Sequence, residues 1–172
     1  MASRDIAESH LENFPVLQPI RIGGKRLRNR IVCSPISINL ADKSGEVTPK
    51  VIDFYSSMGR TGVGLVTVGA TAVSPEGGST DSGMRIGPEN LRPGLEQLAD
   101  SIRATGALSS LQLFHVGAQG NTNYSGQPVF GPSSYVCPDI GIEATVLSAT
   151  QIERIEDDFV DGIIVGLECG FD

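Results

Sequence analysis

Three short apolar segments, each followed by a stretch of helical periodicity, leave this chain few ways to fold. Residues 31–35, 64–69 and 109–117 are apolar runs bounded by glycine or stopped by Pro35, as expected of strands covered on both faces. After the first, Thr48 is suited to an N-cap and Pro49 to the first helical position. Val51, Ile52, Tyr55 and Met58 then recur at helical spacing as far as Gly59. After the second, Leu91, Leu95, Leu98 and Ile102 mark an amphipathic helix that stops at Gly106. After the third comes the clearest cap of the chain: Ser148 and Gln151 form a capping box, and Leu147 and Ile152 a hydrophobic staple. Ile155, Phe159, Ile163, Ile164 and Leu167 are expected to hold one face of that helix up to Gly170. Strand and helix in strict alternation predict a parallel sheet with right-handed crossovers, either doubly wound or part of a barrel. The loops are long after strands and short after helices, so a ligand is expected at the carboxyl ends of the strands.

Ahead of these units, residues 1–14 read as a flexible arm. Ile20 and Ile22 then alternate with polar residues around Gly23-Gly24, which predicts a β-hairpin. The 172 residues suit one domain spanning 1–172. A net charge of −7, from 13 Lys and Arg against 20 Asp and Glu, argues against a nucleic-acid partner or an anionic membrane. The dense basic run Lys25, Arg26, Arg28 and Arg30 fits a solvated hairpin face as well as a phosphate site. No apolar stretch reaches the roughly 20 residues of a membrane helix, and the start is too polar for a secretory signal. The chain therefore reads as soluble and cytoplasmic. Cys33, Cys137 and Cys169 are odd in number and far apart, and the histidines are only His10 and His115. Neither a disulfide framework nor a metal site is expected. Asn123-Tyr124-Ser125 is read as a chance match to a glycosylation acceptor.

Gln112 is the polar anomaly, an amide inside the third apolar strand. Burying an amide unpaired costs roughly 1–3 kcal/mol, so a planar polar partner is expected there. The glycine-spaced run 59–64 precedes a strand, whereas a dinucleotide fingerprint follows one and opens a helix. Helix termination and a tight turn explain it better. Gly117-Ala118-Gln119-Gly120 has no basic neighbours and so lacks the setting of an RNA-binding loop.

Taken together, the strand ends are more specific. Leu27-Arg28-Asn29-Arg30-Ile31-Val32, Thr48-Pro49, Gly69-Ala70-Thr71-Ala72-Val73-Ser74-Pro75-Glu76-Gly77, Gln112-Leu113-Phe114-His115-Val116-Gly117, Gly131-Pro132-Ser133 and Cys169-Gly170-Phe171-Asp172 follow one another in order. In these landmarks the chain resembles the Old Yellow Enzyme family of FMN-dependent NADH:flavin oxidoreductases, especially its bacterial-type and dienoyl-CoA-reductase-like branches. The resemblance implies a partial TIM (β/α)8 barrel of about three βα units preceded by the hairpin, with FMN at the strand ends and NAD(P)H as reductant. It implies that the backbone at Pro35 and Ile36 lies along the flavin, that Ser37 stands near a flavin carbonyl, and that Ala70 presents its N–H. It also implies that Gln112 pairs with the pyrimidine edge, with His115 as a further contact or a loop support. A hydroxyl at Ser37 would tune the flavin potential by hydrogen bonding. Tyr124 and Tyr135 receive no catalytic role.

Several family features are missing from the chain: the carbonyl-gripping His pair or His and Asn after the fourth strand, the later arginine and tyrosine, and the phosphate loops after strands seven and eight. The family's His-Ala-Gly-Arg is here His115-Val116-Gly117-Ala118. No catalytic residue is assigned. A full barrel takes about 250 residues, so the expectation is the amino-terminal portion of an enzyme that reduces activated alkenes of enone or dienoyl type, a small-molecule substrate, and that is incomplete as an isolated catalyst. The alternatives are a short non-redox half-barrel acting as a binding module or isomerase/cyclase, and an inactive remnant. In the first of these, a homodimer or a complementing chain would cover the open edge.

Overall fold

A computed structural model of the protein describes residues 14–172, so the expected arm lies, apart from Phe14, outside the described residues. The chain first forms the hairpin, β1 (Ile20–Ile22) antiparallel to β2 (Lys25–Leu27). Gly23 and Gly24 both adopt positive φ, 53° and 81°, the type I′ geometry that suits the twist of a two-residue hairpin and that only glycine adopts cheaply.

Three strand–helix units follow: β3 (Val32–Cys33) with α1 (Pro49–Arg60), β4 (Leu65–Ala72) with α2 (Arg92–Arg103), and β6 (Leu108–Phe114) with the long terminal helix. β4 is the middle of the sheet. It pairs in parallel with β3 and β5 (Met84–Arg85) on one side and with β6 on the other. Among the described residues this sheet does not close on itself. The loop after β6, rich in glycine and proline and expected to be irregular, instead contains the short helix α3 (Thr122–Ser125). It also contains a small sheet of β7 (Phe130–Gly131), β8 (Tyr135–Val136) and β9 (Glu143–Val146). Strands of two to four residues are too short for side-chain alternation to announce them.

The core lies between one face of the sheet and α1 and α2. Val66 and Val68 meet Val51 and Tyr55 from α1 and Leu95, Leu98, Ala99 and Ile102 from α2, all fully buried or nearly so. Thr48 caps α1 through its side chain, and Pro49 opens it. The terminal helix α4 (Ala149–Glu168) starts with the full capping box of Ser148 and Gln151.

α4 departs from its expected orientation. Ile163, Ile164 and Leu167 face outward at 55%, 48% and 63% exposure, while Gly162, Val165, Gly166 and Cys169 are buried. The glycines explain the rotation. A Cβ on Gly162 would stand 3.2 Å from Leu113 Cδ1 and 3.3 Å from Val73 Cγ1, so the missing side chain lets the helix settle closely on β6.

The basic run in the hairpin region also proves structural. Arg28 donates from Nε to the Val63 carbonyl, from Nη1 to Thr105 and from Nη2 to Gly59, each at 2.9 Å, holding the carbonyls that follow α2 and end α1. Lys25 pairs with Asp172 at 2.9 Å. Helix ends leave carbonyls short of partners, and one guanidinium bonds a carbonyl at the end of each helix, Gly59 and Thr105, together with Val63 in the turn before β4.

Candidate functional site

The three strand ends converge at the carboxyl edge of the sheet. Pro35, Ile36 and Ser37, after β3, are exposed. Ser37 bridges in parallel to Gly69 of β4. Between Val68 and Thr71 the pairing of β4 with β6 slips in register, which places Gly69 and Ala70 outside the regular ladder. Gly69 is the packing centre of the cluster. A Cβ there would lie 2.5 Å from Pro35 Cβ and 2.6 Å from Gln112 Oε1, so only glycine lets the first and third strand ends close over the second. The Gly69–Ala70 peptide is cis, and a small cavity beside it is lined by Ser37, Asn39, Ala70 and Met84.

Gln112 differs from its expected burial. Along β6 the side chains alternate: Ser109 is buried and Leu111 and Leu113 lie against α4, whereas Gln112 projects to the opposite face and is exposed there. Its amide and the Ser37 hydroxyl make no hydrogen bond among the described residues. The amide is available to a ligand rather than consumed by the fold.

His115 occupies a different setting. Its Nδ1 accepts from the Gly117 N–H at 3.0 Å, and its ring presses on Gly77, where a Cβ would come within 2.9 Å of Cδ2. Nε2 is buried without a partner. Burial holds this imidazole below its ordinary pKa, partly opposed by the nearby Glu76 carboxylate. Glu76 forms an ion pair with Arg154 of α4, which also holds Asp158 at 2.7 Å. Burial works against ionising Glu76, but its own backbone N–H and the Arg154 guanidinium outweigh it, so the carboxyl titrates below the usual range. The structure therefore brings Pro35, Ile36, Ser37, Ala70 and Gln112 together around Gly69. His115 stands behind them, against the loop that follows β4.

Tyr55 is the residue the sequence did not mark as functional. It belongs to the buried stripe of α1, yet its hydroxyl lies 2.8 Å from the Ile36 and Gly69 carbonyls and accepts from the Gly69 N–H at 3.1 Å. A tyrosine among aliphatic residues in a helix stripe was the available signal, because a buried phenol needs a polar partner.

An exposed primary amide, a hydroxyl and a small alanine beside a glycine cradle make up a donor and acceptor set that fits the edge of a flat heteroaromatic ring such as a flavin. No group of three or more His, Cys, Asp or Glu side chains is placed to hold a metal among the described residues. Among the same residues no helix is long and apolar enough to cross a membrane.

Comparison with known proteins points the same way. The sequence model of the NADH:flavin oxidoreductase / NADH oxidase family matches residues 15–172. The NADH oxidase of Thermoanaerobacter brockii is 33% identical over 155 residues, covering 88% of this chain and 24% of the oxidase. The NADH:acrylate oxidoreductase of Vibrio harveyi is 30% identical over 151 residues, or 87% of this chain and 15% of that protein. The structure of an Old Yellow Enzyme homologue from Zymomonas mobilis superposes with a TM-score of 0.86 at 25% identity, covering 92% of this chain and 47% of the homologue. The chain thus spans less than half the length of each of these relatives.

Proposed function

Because the chain belongs to the NADH:flavin oxidoreductase / NADH oxidase family, we propose that it supplies one wall of an FMN site in an NAD(P)H-dependent oxidoreductase. The reading is carried by the convergence at Gly69, where Pro35 and the unbonded Gln112 amide meet over a position with no side chain. In this reading the backbone at Pro35 and Ile36 lies along the ring, the Ser37 hydroxyl donates to a ring carbonyl, and Ala70 presents its N–H. Gln112 pairs with the pyrimidine edge, and its amide can both donate and accept there. His115 acts one step removed, holding the Gly77 and Gly117 backbones. When bound, FMN supplies the hydride relay between reduced nicotinamide and an acceptor. The residues of this chain bind and orient it.

Activated alkenes are the proposed acceptor class, in keeping with the relative named for acrylate. None of the residues gathered at the site is a strong donor aimed at a substrate carbonyl, so 1–172 alone is expected to turn over slowly. The test is a titration of the purified chain with FMN, followed by visible absorbance. Binding of about one equivalent supports the reading, and an absence of binding at high FMN refutes it for this chain.

A second reading, a half-barrel that associates with a copy of itself, is favoured by the outward apolar residues Ile163, Ile164 and Leu167 of α4. It is compatible with a flavin site and is tested separately by the oligomeric state.

A further inference from the structure

We propose that Tyr55 is the positioning residue of this site, its phenol setting the spacing between the strand ends at Ile36 and Gly69. The inference rests on the FMN reading above and adds a residue that does not itself touch the cofactor.

A phenol has one proton to give and lone pairs to receive. Here it accepts from the Gly69 N–H, and its single proton is shared between the Gly69 and Ile36 carbonyls. Both Gly69 backbone groups bond to this one hydroxyl, at the point of β4 where its regular pairing with β6 is interrupted. The ring is fully buried in the core and packs edge-to-face on Phe54 at 5.2 Å, which fixes where the oxygen sits. α1 thus reaches through the core to tie together two peptides on either side of the Ser37–Gly69 bridge. No other side chain bonds both segments among the described residues. A rigid helix holding a strand and the loop beside it at one atom is how a site gains precision that loops alone lack.

The test compares Tyr55→Phe with Val51→Ala, a core truncation one turn earlier in the same buried stripe, as a control for stability. FMN dissociation constants and the visible band of the bound flavin are measured at saturation, well below each variant's melting temperature. Tyr55→Phe is expected to weaken FMN binding about tenfold or more relative to Val51→Ala and to displace the flavin band, whereas Val51→Ala keeps the native band. Equal binding and an unmoved band in both variants overturn the proposal and leave the FMN reading standing. A native chain that binds no FMN refutes both, and the two failures are thereby distinguished. Should Tyr55→Phe not fold, the native chain labelled at the tyrosine ζ-carbons gives an independent readout. Saturation with FMN should move the Tyr55 resonance, and an unmoved Tyr55 overturns the proposal.

Discussion

At the scale of single residues, the proposed FMN site draws on groups the fold leaves unspent. Among the described residues Gln112 makes no hydrogen bond and stands exposed, so its amide adds almost nothing to stability and is open to a ligand. Gln112→Ala is expected to raise the FMN dissociation constant about tenfold, the usual worth of a lost hydrogen bond. Its unfolding free energy should stay within about 0.5 kcal/mol of the native value in denaturant titrations. His115 behaves oppositely. Burial disfavours its charged form in the folded chain, so as pH falls below the ordinary value of about 6.5 the unfolded chain takes up the proton first. Its contribution is therefore complete above about pH 6.5 and declines as pH falls from there toward the lowered folded-state value. Melting temperatures should decline over that interval less steeply in His115→Asn, whose side-chain oxygen can still accept from Gly117, and equal slopes would dismiss the assignment. Gln112 could be picked out in the sequence as an amide in an apolar strand, but its burial could not be inferred. Which face of a strand is covered depends on elements far away in the chain.

At the scale of elements, α4 shows how packing decides what periodicity leaves open. Its apolar residues run almost all the way round between Phe159 and Leu167, so two different stripes could have faced the sheet. Gly162 and Gly166 settle the choice, because close approach to Leu113 and Leu111 is available only on the glycine face. The two positions differ in clearance. A Cβ at Gly166 would make ordinary contact at 3.6 Å with Leu111 Cδ2, so Gly166→Ala is expected to stabilise the chain by up to about 1 kcal/mol through helix propensity. A branched side chain at Gly162 would be driven into Leu113 and Val73, and Gly162→Val should destabilise by about 1–3 kcal/mol. Thermal melts of the two variants, moving in opposite directions, check the assignment. The hairpin, the caps of α1 and α4 and the three strand–helix units were all evident from local pattern. The role of Arg28 was not, since its three carbonyl partners lie 31, 35 and 77 residues away.

At the scale of the whole molecule, the sheet does not close among the described residues, and α4 carries exposed apolar side chains along its outer face. Contiguous apolar surface of that kind favours association. Sedimentation of the purified chain is expected to show species larger than the 18.1 kDa monomer, with Leu167→Glu shifting the distribution toward monomer, whereas a monomer at every concentration would remove the self-association reading. By itself the sequence determined the hairpin, the order of the three strand–helix units, the caps and turns and the family, because each of these is written in residues adjacent or regularly spaced along the chain. Only the tertiary structure decided that Gln112 is free, that the glycine face of α4 is the buried one, and that Tyr55 joins the backbones of Ile36 and Gly69. Those facts depend on which surfaces meet across the core, and burial and hydrogen-bond pairing are properties of that meeting rather than of any segment alone.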